Sequence, residues 1–555
     1  MPMRIDRREA LLGLTSSVLL ANRAHARFDQ QAWSNSVFAH GVASGDPASD
    51  SVVLWTRITG LAEVSDVDWV VATDKALKNI VAHGVTSTSR ARDFTVKVIP
   101  EGLPSGQRLF YQFRVGGVGS PIGRTQTLAT GNLESLVLAV ASCSNFPFGR
   151  FNGYQAIAED PDIDIVVHLG DYIYEYSETG YGAEAGRRLG RIHEPRHETV
   201  TLEDYRRRHA QYKADPGSLA MHAAHPLIAT WDDHESTNNP WSGGAQNHQP
   251  DEGAWPDRRS VSLRAYYEWM PVREPEVGQA PELRRGHFSF GDLASIVTVE
   301  TRHMARAKQI EFSEHRDALT SPEAAAEFYE TVVGAEDRKM ISSSDRDFFE
   351  AALRQSKAQG QPWRIFLNQT ILANVISPEL SDPTFIESLP ADDESVSSLV
   401  EGLTSLGALK LPANMDAWDG YPVARERLYE AAISAGVSDL LAVTGDTHVF
   451  WQNRLFDSRQ QPMGLELGTS AITSPRGFSQ LGQPATERFD QLTAEQNRSV
   501  DWVDGRNRGF IKLTLEHTHA TADFVALSSI EDRRFTTEVV RSVDIRRDGD
   551  VIDYV

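Results

Sequence analysis

Three short segments of the chain carry side chains that could bind a metal ion. The first, WDDHE at residues 231–235, follows the apolar run HPLIAT, so Asp232, Asp233 and His234 stand where a buried strand is expected to end. Adjacent carboxylates are costly to bury unless a cation compensates their charge. An exposed, aspartate-rich turn is the alternative. The position directly after an apolar run favours metal ligands over such a turn.

The other two segments are LGDYIYEY and TGDTH, which follow the apolar runs IDIVVH and SDLLAV. They place Asp171 three residues before Tyr174, and Asp446 two residues before His448. In an extended segment, residues two apart point to the same face, so Asp446 and His448 could reach one ion. An aspartate that ends a strand also commonly caps a helix, so neither pair decides the question alone.

The elements that must position these residues are apolar runs that alternate with helical or irregular segments from about residue 133 onward. This alternation predicts a layered α/β domain. The candidate strands are LVLAVASC, IDIVVHLGD, HPLIATWDD, ASIVTVETR, WRIFLNQT and VSDLLAVTGDTH. Ligands of open α/β sheets collect outside the carboxyl ends of the strands. The polar residues at these six ends are therefore predicted to form one site, although Asn368 could equally be an ordinary turn residue.

The segment before this domain has a different pattern. Residues 28–130 contain short alternating runs, SVVLWTRI, DVDWVVATD, FTVKVI and RLFYQFRV, which predict a small antiparallel β-sandwich of the immunoglobulin or fibronectin kind. A chain of 555 residues is also longer than one hydrophobic core usually supports. The sequence therefore predicts a β-sandwich domain at residues 28–130 and a layered α/β domain at residues 133–555.

The N-terminus has the features of an export signal. Residues 1–26 read MPMRIDRREALLGLTSSVLLANRAHA, with paired arginines at positions 7 and 8, a short apolar run and an A-x-A-like end. The run is too short to cross a bilayer, so no transmembrane segment is expected. Paired arginines before a weakly apolar run are typical of the twin-arginine type. We therefore expect the twin-arginine export machinery to be a partner, and a periplasmic or secreted location.

Charge and cysteine content narrow the functional classes. The formal net charge of −22 argues against nucleic acid as a stable partner. Cys143 is the single cysteine of the chain, so no internal disulfide can form. A buried core cysteine is the ordinary explanation of such a residue, and a ligand thiolate becomes attractive only if its neighbours also bind metal.

The ordered set of motifs carries a family resemblance. The segments SCSNFPFGRFNGYQAIAEDPDIDIVVHLGDYIYEY, IATWDDHESTNN, LAVTGDTHVFWQNRL and ELGTSAITSPRG resemble the PhoD family of alkaline phosphatases and phosphodiesterases, within the metallophosphoesterase class. The resemblance covers nearly the whole chain after residue 26. It implies a four-layer α/β sandwich like that of purple acid phosphatases. It also implies one ferric ion and one or two calcium ions at the strand ends.

The resemblance also implies a set of ligands. Carried over, the iron ligands are Cys143, Asp171, Tyr174 and His448. Asp171 then bridges to a second metal site, whose ligands include Asp233 and Asp446. Asp232 is a further ligand of this second site. Thiolate and phenolate donors suit a ferric centre, whereas carboxylates suit calcium.

Two further residues receive roles. His234 resembles the catalytic histidine that lies near the leaving group or the attacking water, although it could instead orient other groups with Glu235 as its partner. Arg302 could bind the substrate phosphate. The alternative for Arg302 is a structural ion pair with Glu300, which stands where the family usually has aspartate, or with another carboxylate.

These expectations predict an exported, metal-dependent hydrolase of the alkaline phosphatase D type. Its substrates would be phosphate monoesters, phosphodiesters or both, attacked by a metal-activated water or oxo group. The alternative from another class is a secreted binding protein that is stabilised by metal and has a degenerate site. Completeness of the ligand set separates the two, because a degenerate site is expected to lack some donors.

Overall fold

The computed structural model describes residues 37–60, 64–390, 393–475 and 478–555. The predicted export signal at residues 1–26 lies outside the described residues. No helix in the described part of the chain combines the length and the apolar character needed to cross a bilayer.

The larger of two facing sheets has ten strands. In spatial order these are Val551–Tyr554, Thr537–Asp548, His519–Leu527, Gly509–Glu516, Ser135–Ala141, Ile165–His168, Pro226–Ala229, Val42–Gly45, Val53–Arg57 and Thr95–Val98. The four strands from Ser135–Ala141 to Val42–Gly45 pair in parallel, and the flanking strands pair antiparallel.

The second sheet has seven strands. In spatial order they are Gly286–Phe290, Ala294–Thr298, Trp363–Leu367, Leu440–Thr444, Pro462–Gly468, Phe450–Phe456 and Val500–Asp504. The four strands from Ala294–Thr298 to Pro462–Gly468 pair in parallel. Central strands such as Leu440–Thr444 are buried at every residue, as expected for parallel strands that are covered on both faces. All six strands predicted from the apolar runs are present.

The two sheets pack face to face, and helices cover their outer faces. The core between the sheets contains Leu138 and Val167 from one sheet and Ile365 and Val443 from the other. Outside the ten-stranded sheet lie the helices Asn152–Glu159, Leu202–Lys213, Pro216–Ala224 and Trp255–Trp269. Outside the seven-stranded sheet lie Ser343–Ala358 and Pro422–Ser434. This four-layer arrangement confirms the predicted fold class.

Shorter elements connect the layers. The remaining α-helices among the described residues are Ala183–Leu189, Pro322–Phe328, Pro383–Ser388, Glu394–Ala408 and Gly482–Gln496. A two-stranded ribbon joins Pro240–Trp241 to Gly244–Ala245.

The N-terminal strands form the predicted β-sandwich. One of its sheets contains Ile80–Thr88, Ser65–Ala72, Arg108–Val115, Val118–Gly119 and Gly123–Gln126. The other sheet of the sandwich consists of Val42–Gly45, Val53–Arg57 and Thr95–Val98, which also form one edge of the ten-stranded sheet. One hydrophobic core lies between the two sheets of the sandwich. Strand pairing thus runs unbroken from the sandwich into the α/β layers. The division of the chain at residues 130–133 stays a prediction.

Candidate metal centre

Four strand ends, three from the ten-stranded sheet and one from the seven-stranded sheet, meet at one place. Cys143 follows the strand Ser135–Ala141, and Asp171 follows Ile165–His168. The pair Asp232 and Asp233 follows Pro226–Ala229. The fourth end is that of Leu440–Thr444, which Asp446 and His448 follow. The residues are brought together because the carboxyl ends of parallel strands share one edge of each sheet.

The backbone at these strand ends is strained. Cys143, Asp171, Asp446 and His448 adopt positive φ angles of 61°, 55°, 62° and 60°. A non-glycine residue in this left-handed region costs roughly 1–2 kcal/mol. Such strain is maintained only where the surrounding structure enforces it, and it concentrates at functional sites. The four residues therefore turn sharply out of their strands and direct their side chains toward a common point.

Two glycines permit these turns. Gly170 has φ of 102°, and a Cβ atom placed on it would lie 2.3 Å from the backbone nitrogen of Asp232. A Cβ atom on Gly445 would lie 2.6 Å from Oγ of Ser142. The glycines of the LGD and TGD motifs therefore let neighbouring strand ends approach each other closely.

A first cluster of potential ligands contains Cys143, Asp171 and His448. Their Sγ, carboxylate and ring nitrogen atoms all lie within 4.8 Å of one another. The Tyr174 hydroxyl joins them, because it donates to Oδ2 of Asp171 at 2.8 Å and lies 3.3 Å from Nε2 of His448. The Ser474 hydroxyl donates to the Tyr174 oxygen at 2.7 Å. All four predicted iron ligands thus meet.

A second cluster contains Asp171, Asp233 and His234, again with ligand atoms within 4.8 Å of one another. Nδ1 of His234 donates to Oε2 of Glu175 at 2.7 Å, and its Nε2 lies 3.9 Å from Oδ2 of Asp233. The backbone N–H of Asn239 donates to the same Asp233 oxygen at 2.9 Å. Asp171 belongs to both clusters, which is the position that a bridging ligand requires.

The alternative that paired His234 with Glu235 is wrong. The Glu235 carboxylate instead accepts backbone N–H groups of Asp171 at 3.1 Å, Tyr172 at 2.6 Å and Asp232 at 2.8 Å. The sharp turns leave these donors without strand partners, and buried N–H groups must be satisfied. Glu235 therefore ties two strand ends together, and Glu175 holds the imidazole.

Arg302 is fully buried between carboxylates. Its Nε donates to Asp232 at 2.6 Å and its Nη1 donates to Asp416 at 2.7 Å. Its Nη2 lies 3.8 Å from Oδ1 of Asp446 and has no hydrogen-bond partner among the described residues. Glu300 accepts the backbone N–H of Arg302 rather than its guanidinium. The ion pair considered with Glu300 thus forms with Asp232 and Asp416.

Asn368 takes no part in the clusters. Its side-chain oxygen accepts from the Trp418 indole at 3.1 Å, and its nitrogen donates to the carbonyl of Thr370. Both ends of the amide are satisfied by neighbouring loops, so Asn368 fixes the strand end and is not a metal ligand in this arrangement.

The carboxylates of the site have strongly shifted pKa values. Burial, reinforced by neighbouring aspartates, raises the pKa of Asp232 to about 8 and of Asp446 to about 7. Burial likewise raises the pKa of Asp171 well above its usual range. For Asp233, burial acts in the same direction, but His234 and Arg302 outweigh it and hold the pKa below its ordinary value. Without a cation, the negative charges of Asp171, Asp232 and Asp446 are therefore unfavourable.

The other donors respond in the same way. Burial, followed by the nearby Asp171 charge, raises the pKa of the Cys143 thiol and of the Tyr174 phenol well above their usual ranges. Burial lowers the pKa of His448 to about 4. Although burial opposes the charge on His234, Asp233 and Glu175 raise its pKa well above the ordinary value. The carboxylates of Asp233 and Glu175 therefore favour the charged form of His234.

Unpaired oxygens show that the donors fit a cation. Asp171 Oδ1, Asp232 Oδ2 and Asp233 Oδ1 are buried and have no hydrogen-bond partner among the described residues. Leaving a buried carboxylate oxygen unpaired costs roughly 1–3 kcal/mol or more, unless a cation or water compensates it. A thiol, a phenol, an imidazole and several carboxylates around such oxygens form a donor set for metal ions.

Sequence reasoning did not assign a role to four residues of this site. Glu175 lies in the quoted run LGDYIYEY, and Ser474 lies in ELGTSAITSPRG, but neither follows a strand directly. Asp416 and Asn239 lie in loops without a strand pattern. Asn239 ends the quoted segment IATWDDHESTNN, which is a sequence signal for it, whereas only the fold brings Asp416 to the site.

Comparison with known proteins places the chain among phosphatases. Residues 138–524 match the family model described as PhoD-like phosphatase, and residues 22–129 match the model of the PhoD-like phosphatase N-terminal domain. The chain is 30% identical over 509 residues to alkaline phosphatase D of Bacillus subtilis (strain 168), which covers 88% of this chain and 77% of the relative. A solved structure described as that of PhoD matches with a TM-score of 0.73 at 27% identity, covering 93% of this chain and 92% of the other.

Proposed function

Because this chain belongs to the PhoD-like phosphatase family and is a phosphoesterase, we propose that it hydrolyses phosphate monoesters, phosphodiesters or both at the metal centre described above. The observation that carries the proposal is the pair of ligand clusters that share Asp171. A substrate phosphate carries its charge on oxygens, and a site with several cations next to a buried arginine suits that charge.

The proposed cofactors are one Fe³⁺ and one or two Ca²⁺. Cys143, Asp171, Tyr174 and His448 would hold the iron, because thiolate and phenolate are anionic donors suited to it. Asp171 would be shared with a calcium site formed by Asp232, Asp233 and Asp446. When bound, these ions would neutralise charge on the phosphoryl group and lower the pKa of the attacking water.

His234 is proposed as the catalytic acid. Glu175 accepts from its Nδ1, which fixes the ring and leaves the Nε2 proton on the side of Asp233. Since the two carboxylates favour its protonated form, the imidazole can transfer its Nε2 proton to the oxygen of the departing alcohol. This transfer avoids the release of a free alkoxide.

Arg302 is proposed to bind the substrate phosphate through Nη2. Its two other donating nitrogens are held by Asp232 and Asp416, so the guanidinium is fixed before substrate arrives. A fixed donor loses little conformational entropy when it meets a phosphoryl oxygen. Arg302 thereby links the carboxylates of the site to the substrate.

The protein is further proposed to be exported by the twin-arginine route to the periplasm or the medium. The support is the sequence of residues 1–26, with its paired arginines, short apolar run and A-x-A-like end. The alternative of a binding protein with a degenerate site is not retained, because the predicted donors meet and the family is one of phosphatases.

Metal analysis combined with activity tests the proposal. The purified protein is examined by elemental analysis and visible spectroscopy, and its hydrolysis of p-nitrophenyl phosphate and bis(p-nitrophenyl) phosphate is measured with and without added Ca²⁺. We expect about one iron per chain, a visible charge-transfer band and calcium-dependent turnover. A colourless, iron-free but active protein would overturn the ligand assignment alone. Failure of the metal-loaded protein to hydrolyse either ester would overturn the function.

A further inference from the structure

A cavity of about 370 Å³ opens directly beside the metal centre. Its wall on that side includes Asp446, which is one of the predicted ligands, and Asp416, which pairs with Arg302. Asn239, whose backbone N–H donates to Asp233, also lines it. The cavity and the metal centre therefore share residues, and a molecule bound through a phosphate at the centre would extend into the cavity.

The cavity is lined mainly by apolar side chains away from the metal centre. They come from the loop after Trp363–Leu367, from two strands of the seven-stranded sheet and from the helix Gly482–Gln496, and include Ile371, Val375, Val449, Trp451, Phe489 and Val503. Binding is favourable when an apolar group replaces the water that covers apolar side chains in a concave site. The lining thus favours an apolar occupant.

The polar groups of the lining are largely engaged already. The hydroxyls of Thr486 and Thr493 donate to carbonyls of their own helix, and the Trp451 indole donates to Thr447. The Ser377 hydroxyl is buried without a hydrogen-bond partner among the described residues, so it could form a hydrogen bond with one polar substituent of a bound molecule. A sugar or another polyol would find few partners among these groups, because besides Ser377 only the aspartate and asparagine side chains of the lining could still bind its hydroxyls.

The charged side chains of the lining have one sign. Asp416, Asp419, Asp446 and Asp490 line the cavity, and none of its described lining residues is a lysine, arginine or histidine. Arg425 neutralises Asp419 from outside the cavity, and the backbone N–H of Gly505 donates to Asp490. An anionic organic group would therefore lack a cationic partner, so the cavity selects against it.

We propose that this cavity is the subsite for the organic group of the ester, and that the enzyme favours phosphate esters of uncharged aryl or branched alkyl alcohols. The inference rests on the proposed function, because it takes the phosphate to lie at the metal centre. The volume of about 370 Å³ is large enough for an aromatic ring with a substituent.

Binding of phosphonates tests the subsite without turnover. Phenylphosphonate and methylphosphonate present the same charged head to the metal-loaded enzyme and differ only in the organic group. Calorimetry should give at least tenfold tighter binding of phenylphosphonate. The variant Val375→Trp fills the cavity while keeping the backbone N–H that donates to Asp419, so it should remove this preference. The control Val277→Trp lies at a fully exposed position and should keep it.

Hydrolysis of mixed diesters separates the subsite from the function. Methyl, phenyl and 4-carboxyphenyl p-nitrophenyl phosphates share one reporter group, so the second organic group alone varies. We expect kcat/KM to be highest for phenyl, with the methyl and 4-carboxyphenyl diesters each at least tenfold lower. Equal binding of the two phosphonates would overturn the subsite and leave the phosphoesterase standing.

The absence of hydrolysis of all three diesters and of p-nitrophenyl phosphate would instead overturn the proposed function. If Val375→Trp does not fold, Val503→Phe fills the same cavity from the strand Val500–Asp504 and replaces it in both measurements. A phenyl preference that survives in both folded filling variants would also overturn the subsite.

Discussion

Tyr172 and Tyr174 are separated by one residue, and both are buried, yet their hydroxyls contact different parts of the molecule. Tyr174 contacts Asp171 and His448 at the metal centre. Tyr172 contacts Ser218 and His222 of the helix Pro216–Ala224, on the outer face of the ten-stranded sheet. The two residues therefore form a matched pair in which only one belongs to the site.

Replacing Tyr174 by phenylalanine should remove the tyrosinate contribution to the visible band and lower kcat/KM about 100-fold, because one of the proposed anionic iron ligands would be lost. The measurement is an absorption spectrum with steady-state kinetics on p-nitrophenyl phosphate. The control Tyr172→Phe should keep both the band and the activity while losing about 1 kcal/mol of stability with its hydrogen bonds. An unchanged spectrum in Tyr174→Phe would contradict the ligand role.

Replacing Glu175 by glutamine tests how His234 is held. Glutamine keeps the size and an acceptor oxygen but removes the negative charge that stabilises the imidazolium, so the pKa of His234 should fall. We expect kcat to drop about 10–100-fold and the alkaline limb of the pH profile of kcat to move to lower pH. The control is Glu198→Gln, whose carboxylate pairs with Arg258 instead. A pH profile identical to that of the wild type would argue against a catalytic acid at His234.

At the scale of the elements, close approach of strand ends is the feature that makes the site. Substituting Gly170 by alanine would place Cβ 2.3 Å from the Asp232 backbone nitrogen at a positive φ. Strain of about 1–2 kcal/mol and overpacking of about 1–3 kcal/mol should add to a loss of about 2–5 kcal/mol in urea unfolding. Activity should fall with it, because Asp171 and Asp232 are displaced from each other.

The matched control for this substitution is Gly190→Ala. Gly190 also has a positive φ, of 65°, but a Cβ atom placed on it would meet no heavy atom within 4 Å. Its loss should therefore be limited to the strain of about 1–2 kcal/mol, with activity retained. Equal losses in the two variants would mean that crowding between the strand ends does not matter.

The elements also show what the sequence could and could not predict. Asp171, Asp233 and Asp446 directly follow or nearly follow apolar runs, and the rule that ligands collect at strand ends brings them together correctly. Glu175 and Asp416 lie in loops whose paths depend on packing between distant segments. The same limit explains the wrong partner for His234: Glu235 is adjacent in sequence, but local turn geometry points it at backbone donors.

At the scale of the whole molecule, the metal centre should contribute to stability. Chelation leaves the buried carboxylates of Asp171, Asp232 and Asp446 without compensating charge, so the melting temperature should fall. A ligand present at about 1,000 times its Kd contributes roughly 4 kcal/mol. Calorimetric scans before and after chelation, and after return of Ca²⁺, measure the effect. In Asp171→Asn, which alters the shared ligand, the response to chelation should be much smaller; a full response there would contradict the shared site.

Buried histidines should make the fold sensitive to acid. Burial lowers the pKa of His40, His168 and His303 to about 3, whereas an unfolded histidine titrates near 6.5. Between these values the unfolded chain binds protons that the folded chain does not, so stability falls as pH decreases from about 6.5 toward 3. Each such group contributes up to about 1.4 kcal/mol per pH unit. Urea unfolding of the metal-loaded protein at pH 7 and pH 5 tests this, because in the metal-free protein the raised pKa values of Asp232 and Asp446 act in the opposite direction. Equal stabilities of the loaded protein would contradict the prediction.

The strand order of the ten-stranded sheet affects when, during synthesis of the chain, the metal centre can form. The strand Ser135–Ala141, which leads to Cys143, pairs on one side with Ile165–His168 and on the other with Gly509–Glu516, so its second pairing waits for residues far later in the chain. Contacts between segments so far apart in sequence form late, because loop closure must precede them. A chain that stops before Gly509 would therefore have all the proposed donors but lack one neighbour of the strand that leads to Cys143. We therefore expect metal loading and catalysis to begin only after the strand Gly509–Glu516 has been made.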